Sequence, residues 1–475
     1  MDTSIREYAQ LSIPFFDSLP ERWDDSNSSY EEKLKALLQS DLDFQGESGQ
    51  YASHNFHAFP AKFPPQLPAL FIEHLTSPDE TILDPMVGSG TTLVEAVLRG
   101  RSAIGVDIDP LALLIAKVKT TPLDPVLVGK TGLAIIESSQ RFIHEGPDAL
   151  WHIKEQWTPR TREFVDYWFA PETQIELLAL STSIQQVLDN DLRAFFMLIF
   201  SSTIITKSGG VSLARDLAHT RPHRAKVIFS VTGEIIEGAE FVEKENPRLQ
   251  HISKVLTSPL VEFEKRLQKA VNGMKQLKRN QKAKAFLFRS DAQRLPLRDN
   301  VVDLIVTSPP YASNAIDYMR AHKFSLVWFG YSVESLSQTR KKYIGSENIQ
   351  GLKFEDLPER PSRIIEYISV VDQRKGLVLR RYFSETKRML KEMHRVLKPG
   401  KAAIVVVGSS IMRGIDTETG HCLAEIGQSI GFQLVHVGVR NLDRDRRMMP
   451  AGHQIDPTSQ IQRRMHQEFV IGFTK

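Results

Sequence analysis

The stretch TILDPMVGSGTTLVEAVLRGRSAIGVDIDP, residues 81–110, decides the fold. Thr81–Leu83 reads as a short apolar strand, and Asp84-Pro85-Met86-Val87-Gly88-Ser89-Gly90-Thr91-Thr92 as a loop. Leu93–Leu98 resumes as a helix, and Arg101–Val106 makes a second strand that ends in Asp107-Ile108-Asp109-Pro110. Strand, glycine loop, helix, strand and acid form the first half of a nucleotide-binding parallel sheet. Gly88 and Gly90 let backbone amides approach a ligand, and the helix that follows offers unpaired donors in its first turn. No lysine stands where a phosphate-cradling loop needs one, which argues against a nucleoside triphosphate. Asp107 sits where a carboxylate accepts from both ribose hydroxyls, although the same acid could instead cap the helix before Pro110.

Beyond Leu111–Lys119, a further helix, the pattern breaks from Thr120 to Lys284, far too long for an ordinary connection. This stretch is mostly helical in period, with paired buried helices expected at 173–188 and 191–205. It also holds two basic segments, RDLAHTRPHRAK at 215–226 and KQLKRNQKAK at 275–284. The sheet resumes at Ala285–Phe288, followed by Ser290-Asp291, where Asp291 suits either an adenine amino group or a turn. The run Val301–Val306 then meets Thr307-Ser308-Pro309-Pro310-Tyr311. A double proline cannot continue a central strand, so the chain leaves the sheet at its carboxyl edge, where open α/β sheets bind ligands. Ser308 offers a hydroxyl, Pro309 a carbonyl and Tyr311 an aromatic face. Two acceptors and a stacking plate suit a planar amine; the plainer alternative is a rigid turn.

The remaining elements are an irregular stretch at 331–379, a helix at 382–397, a strand at 402–407, a helix ending near 430, and strands at 433–439 and 468–473. The expected division is a polar N-terminal segment (1–50), a cofactor half (51–119), an inserted, mostly helical domain (120–284) and a catalytic half (285–475). Composition narrows the class further. The 475 residues are 41% hydrophobic and carry a net charge of +3, so nucleic-acid binding must come from local basic clusters rather than a global field. One cysteine excludes a disulfide framework, and none of the 14 histidines stands in an HExxH pattern, so no metal is expected. The most apolar stretch, 194–205, is too short to cross a bilayer, and the first residues lack the build of a signal peptide. A soluble, cytoplasmic protein is expected, with no membrane partner.

DPMVGSGTT at 84–92 and SPPY at 308–311 together resemble the two best-known motifs of the S-adenosylmethionine-dependent DNA amino-methyltransferases, most of all the cytosine-N4 group. HAFPAKFPP at 57–65, with Phe63, resembles the segment that closes over the methionine end of the cofactor in that family. The resemblance covers 51–120 and 285–475. It implies a Rossmann-like class I methyltransferase sheet, α/β in class, with a long, mostly helical insertion. It further implies a cofactor site of Phe63, Asp84, Pro85, Gly88, Ser89, Gly90, Thr91, Thr92, Asp107, Ile108 and Asp291. Within it, Gly88 and Gly90 would approach the methionine moiety, Asp107 would hold the ribose, and Asp291 with Ile108 would frame the adenine. Ser308 and the Pro309 carbonyl would accept the two amino hydrogens of a flipped base, Pro310 would stiffen the loop, and Tyr311 would stack on the ring.

Such catalysis is positioning and electrostatics, without a metal or covalent intermediate. Serine rather than aspartate or asparagine before the prolines is the family's hint of cytosine over adenine. The implied partners are double-stranded DNA and a cognate restriction nuclease, in a restriction-modification or defence system. Sequence reading is expected from 120–284, with Arg215, Arg221, His223, Arg224 and Lys226 as nucleic-acid contacts, ahead of 331–379. Adenine-N6 methylation, tRNA guanine-N2 methylation and a catalytically silent nucleic-acid-binding module are the alternatives.

Overall fold

The computed structural model describes residues 28–60, 62–217, 222–242, 249–275, 283–312, 317–349, 351, 353–408, 410–442 and 467–475. Its main sheet has seven strands: β1 (Thr81–Asp84), β2 (Ser102–Asp107), β3 (Ala285–Arg289), β4 (Val302–Thr307), β5 (Leu397–Gly408), β6 (Gln433–Asn441) and β7 (Gln467–Thr474). They lie in the order β6-β7-β5-β4-β1-β2-β3. The five strands from β5 to β3 pair in parallel, and β7 runs antiparallel to both β5 and β6. This is the Rossmann-like class I methyltransferase sheet. The strand order reverses where β1 meets β4, and the carboxyl ends of these two strands open a crevice at that switch point.

Burial on both faces explains the near-continuous apolar runs of the central strands. Alternate residues point to opposite layers. Ile82, Leu304, Ile404 and Val470 face one core, while Leu83, Ile305, Val405 and Ile471 face another. The first core is covered by α1 (Tyr30–Gln39), α2 (Gln66–Leu75), α3 (Thr91–Leu98) and α4 (Pro110–Thr120), through residues such as Leu34, Phe71, Leu93 and Ala116. α1 opens with a capping box, in which Ser29 and Glu32 satisfy each other's backbone amides. Leu34 and Leu38 sit so tightly on β7 that a side chain on Gly472 would collide with Leu38. The short helix expected at 30–38 within the polar segment 1–50 is thus a core helix, its three buried leucines spaced among lysines and glutamates.

The insertion contributes α5 (Pro125–Glu145), α6 (Pro171–Gln185), α7 (Asn190–Ile204) and α8 (Pro259–Lys275), which share a core rich in phenylalanine: Phe195, Phe196, Phe200 and Phe263. A small three-stranded sheet, Val227–Phe229, Ile235–Glu237 and Ser253–Val255, stands within the same stretch. The helical core also takes Phe324 from α9 (Met319–Leu326), Trp328 from the 3-10 turn Val327–Phe329 and Leu336 from α10 (Val333–Lys341), all of which follow the SPPY loop.

The stretch 331–379, expected to be irregular, is largely helical. It contains α10, α11 (Glu359–Val371) and the start of α12 (Gln373–Val396). Pro358 precedes the first turn of α11 and Pro361 lies within it, where no amide is needed. Ile364 and Ile368 then form its buried stripe. α12 and α13 (Thr419–Ser429) complete the second layer with Tyr382, Phe383, Met389 and Leu423. Among the described residues, no helix is long and apolar enough to cross a membrane.

Candidate active site at the carboxyl edge of the sheet

The two loops read from the sequence meet at the switch point. Thr307, the last residue of β4, donates its hydroxyl to Asp84 Oδ1 at 2.8 Å, and the Met86 amide donates to the same oxygen at 3.2 Å. Thr92 Oγ1 donates to the Val306 carbonyl at 3.2 Å. Burial pushes the Asp84 carboxyl up to about 6, against the lowering effect of the Thr307 and Met86 bonds. Asp84 therefore ties the loops together.

Gly88 and Gly90 both have positive φ, +47° and +78°. The Gly88 amide donates to Asp107 Oδ2 at 3.0 Å, and the Phe59 ring stands 3.4 Å from where a Gly88 Cβ would lie. A Cβ on Gly90 would lie 2.9 Å from the Ala116 Cα, so this glycine lets α3 and α4 approach each other. Beneath the loop, buried Lys119 donates to the Ser89 carbonyl at 2.9 Å. Burial, reinforced by Lys62, drives its ammonium well below the ordinary lysine range. Ser89 Oγ and Thr91 Oγ1 are 3.1 Å apart, and α3 begins at Thr91 with no side-chain cap.

Asp107 is pushed up to about 7, first by burial and then by the charge of Asp109, while the amides of Asp109 and Gly88 pull the other way. The helix-capping role weighed for Asp107 belongs to Asp109, whose Oδ1 accepts from the Leu111 and Ala112 amides. Its Oδ2 accepts from Tyr343 OH at 2.6 Å and lies 2.7 Å from His322 Nδ1. Burial would raise Asp109, but His322, Tyr343 and the helix amide outweigh it and hold the carboxyl below its usual range. Asp107 is thus left at the crevice without a capping duty.

Phe59 stacks on Tyr318 with ring centroids 4.9 Å apart and planes at 23°, and His322 lies 5.6 Å from Phe59. Burial and then Asp107 raise the Tyr318 phenol above its ordinary value. Phe59, Tyr318 and His322 cover the Gly88–Asp107 corner, and neither Tyr318 nor His322 was singled out by sequence. The clue available there was a second tyrosine and a histidine opening the helix after the SPPY loop. Phe63 packs toward the core beneath the sheet.

At β3, the Ser290 amide donates to the Asp107 carbonyl at 3.1 Å, which brings the Asp291 loop beside Ile108. Asp291 Oδ1 accepts from the Gln293 amide at 2.9 Å, as in a side-chain turn. Pro85 lies between Asp84 and Met86 in the same buckle.

The SPPY loop is anchored from an unexpected direction. Tyr311 OH donates to Glu468 Oε1 at 2.7 Å, and Arg440 holds Glu468 Oε2 at 2.5 Å. Burial, then Glu468, raises the Tyr311 phenol well above its ordinary range; a hydrogen bond from Ser308 acts the other way. Ser308 and Pro310 are half-buried and Pro309 is buried. Glu468 had no sequence signal, because it lies on the last strand and only the antiparallel insertion of β7 brings it to this edge.

Of the nucleic-acid candidates, Arg215, His223 and Lys226 are exposed. Arg224 is committed to both carboxylate oxygens of Glu237, at 2.6 and 2.7 Å, and to the Tyr167 carbonyl. Arg221 lies outside the described residues. A second cationic group, unremarked in the sequence, flanks Tyr318. Arg320 reaches Asp317 at 2.8 Å, Arg340 pairs with the same carboxylate, and Lys323 is lowered by burial and then by Arg340, with Arg160 and Arg320 adding to the effect.

A reversed β7, a glycine loop at β1, an acid ending β2 and a proline-rich loop ending β4 are the features of a class I methyltransferase fold. A family model described as DNA methylase matches residues 12–118. The type II methyltransferase M.MvaI of Kocuria varians is 24% identical over 441 residues, covering 88% of this chain and 90% of that protein. M.BsoBI of Geobacillus stearothermophilus is 22% identical over 448 residues, covering 86% and 83%. M.MjaII of Methanocaldococcus jannaschii is 35% identical over 121 residues, covering 25% and 23%. The chain is similar to DNA methylases of the N6/N4 amino-methyltransferase type, a likeness that supports S-adenosylmethionine as cofactor and DNA amino-methylation as reaction class.

Proposed function

We propose that the protein methylates the exocyclic N4 of a flipped cytosine in duplex DNA, as the modification enzyme of a restriction-modification or defence system. The observation that carries the choice of base is Ser308, the residue before Pro309-Pro310-Tyr311. The similarity to type II methyltransferases supports the modification role.

The chain's own atoms fit the cofactor. Gly88 lets a ligand approach its backbone without a side chain in the way, α3 begins without a side-chain cap, and Asp107 offers a carboxylate to a diol. Phe59 and Tyr318 close the same corner. When bound there, S-adenosylmethionine supplies an electrophilic methyl group. An exocyclic amine is a poor nucleophile because its lone pair is shared with the ring. Ser308 Oγ and the Pro309 carbonyl accept its two N–H groups and favour a pyramidal nitrogen with the lone pair freed. Tyr311 lies against the base and fixes its plane. These groups act by orientation and by electrostatics fixed in advance. The phosphate backbone is held by the exposed Arg215, His223 and Lys226 of the insertion and by the arginines around Asp317.

Mass spectrometry of nucleosides from DNA incubated with enzyme and cofactor tests the reading. N4-methylcytosine is the expected product; N6-methyladenine without N4-methylcytosine, or methylation of tRNA alone, overturns it.

A further inference from the structure

We infer that the inserted helical body also builds the cofactor site, with His57 as the positioning residue that carries its contact to Phe59, the ring that stands over Gly88. The inference rests on the reading of the Gly88–Asp107 corner as the cofactor site and gives the insertion a role there besides any contact with DNA. Residues 51–60 form turns and bends rather than a helix or strand. The place of Phe59 therefore depends on what the side chains before it grip.

Two sets of anchors act on this segment. Tyr51 OH and His54 Nε2 meet Glu95 Oε1 of α3 at 3.0 and 2.6 Å, and Ser53 Oγ donates to the Lys119 carbonyl of α4 at 2.7 Å. Lys62 Nζ donates to the His54 carbonyl at 3.2 Å, which brings the two ends of the segment together. These bonds fix residues 51–54 and 62 on the cofactor half. The tip between them turns to the insertion instead. Phe56 meets the Phe195 ring edge-on with centroids 6.4 Å apart, and His57 Nε2 lies 2.9 Å from Ser201 Oγ. Phe195 and Ser201 both belong to α7. Two residues beyond His57, Phe59 stacks on Tyr318 and stands 3.4 Å from where a Gly88 Cβ would lie.

The bonds of His57 have a fixed direction. Its Nδ1 lies 2.7 Å from the Ala58 carbonyl, which can only accept, so Nδ1 carries the proton. The ring is 3% exposed, and burial pushes its pKa down to about 3, so it stays neutral. Nε2 is then the acceptor and the Ser201 hydroxyl the donor. One nitrogen draws in the carbonyl that leads into Phe59, and the other is pinned to a helix of the insertion. A shift of Ser201 is passed to Ala58 and from there to the Phe59 ring.

Calorimetry of S-adenosylmethionine binding, with thermal midpoints recorded beside it, tests this in S201A, H57F, H57Q, F59A and their combinations. S201A removes the proton that Nε2 accepts and should weaken cofactor binding by roughly threefold to tenfold, as expected for a buried acceptor left unpaired. H57F keeps a ring and loses both bonds. It should cost at least as much, and H57F/S201A should be no weaker than H57F within about twofold. H57Q, with a donor and an acceptor on one side chain, should recover most of the loss. In the F59A background neither S201A nor H57F should cost more than about twofold, because the ring they position is gone. If H57F fails to fold, S201A and S201A/F59A decide the matter. A lowered thermal midpoint in S201A with cofactor affinity unchanged, additive losses in H57F/S201A, or an undiminished loss in the F59A background would each overturn the inference. Wild-type protein that binds no S-adenosylmethionine would instead overturn the reading of the corner as the cofactor site.

Discussion

Thr307 and Asp84 are 223 positions apart in the chain and 2.8 Å apart in the fold, each at the carboxyl end of its strand. The bond joins the cofactor loop to the SPPY loop through a carboxyl that burial lifts from 3.8 to about 6. A raised carboxylate pKa means that the folded state binds the proton more tightly, so stability is greatest below about 4 and falls as pH rises toward 6. The full cost, by the size of the shift, is up to about 3 kcal/mol. D84N keeps an oxygen for Thr307 and Met86 and carries no charge. Its stability relative to wild type should rise between pH 4 and pH 6 and level off above. Denaturant midpoints across that range check this; a constant difference would refute the role of Asp84 burial.

Asp107 gives a pH dependence of a different kind. Its carboxyl is lifted to about 7, and only the ionised form accepts from both hydroxyls of a diol. Proton and cofactor then compete. Affinity for S-adenosylmethionine should be level above pH 8 and weaken by roughly tenfold per unit below about 7. D107N should bind weakly with no such slope. Calorimetry from pH 5.5 to 8.5 decides, and a flat wild-type profile would remove Asp107 from ribose binding.

The two glycines of the loop separate fold from function. G90A places a Cβ 2.9 Å from the backbone of Ala116 at a φ of +78°, so it should destabilise by about 2 kcal/mol or more. G88A meets the Phe59 ring at 3.4 Å and the Met86 carbonyl at 3.9 Å, both ordinary contacts, so its cost is the strain of φ +47°. It should cost about 1 kcal/mol in stability while weakening cofactor binding by at least tenfold. Equal thermal shifts in the two variants, with cofactor binding spared in G88A, would reverse this division.

The legible parts of the chain were those written in local pattern. The strand–loop–helix–strand run at 81–107 and the apolar run into Thr307 place their strands within a residue or two, because periodicity and proline chemistry act over short distances. Asp84 was legible as part of the loop but not as its tie to Thr307, since that bond depends on β4 inserting beside β1. Asp107 and Asp109 were both visible, but which one capped α4 depended on backbone direction. Glu468, Tyr318 and His322 carried no local signal at all. They reach the crevice through a reversed last strand and a helix that packs into the inserted body. The helices within 331–379 were not read from the sequence, and the prolines at 358 and 361 stand at the start of α11, where their missing amides cost nothing.

The surface that holds DNA can be assigned from salt dependence. Arg320 and Arg340 converge on one carboxylate, Asp317, so the pair retains a net positive charge beside the crevice. Arg224 is matched by Glu237 and donates to the Tyr167 carbonyl, which gives it a structural duty. A cation that contacts phosphate releases counterions, and each lost contact lowers the slope of log K against log salt by about 0.9. R320A/R340A should therefore flatten the slope by up to about two, weaken binding across unrelated sequences alike, and leave cofactor affinity unchanged. R215A/K226A should do the same if the insertion also carries phosphate contacts, whereas R224A should lower thermal stability with little change in slope. Filter binding or fluorescence anisotropy between 50 and 300 mM salt reads all three. An unaltered slope in R320A/R340A with a flattened one in R215A/K226A would place the backbone contacts on the insertion alone.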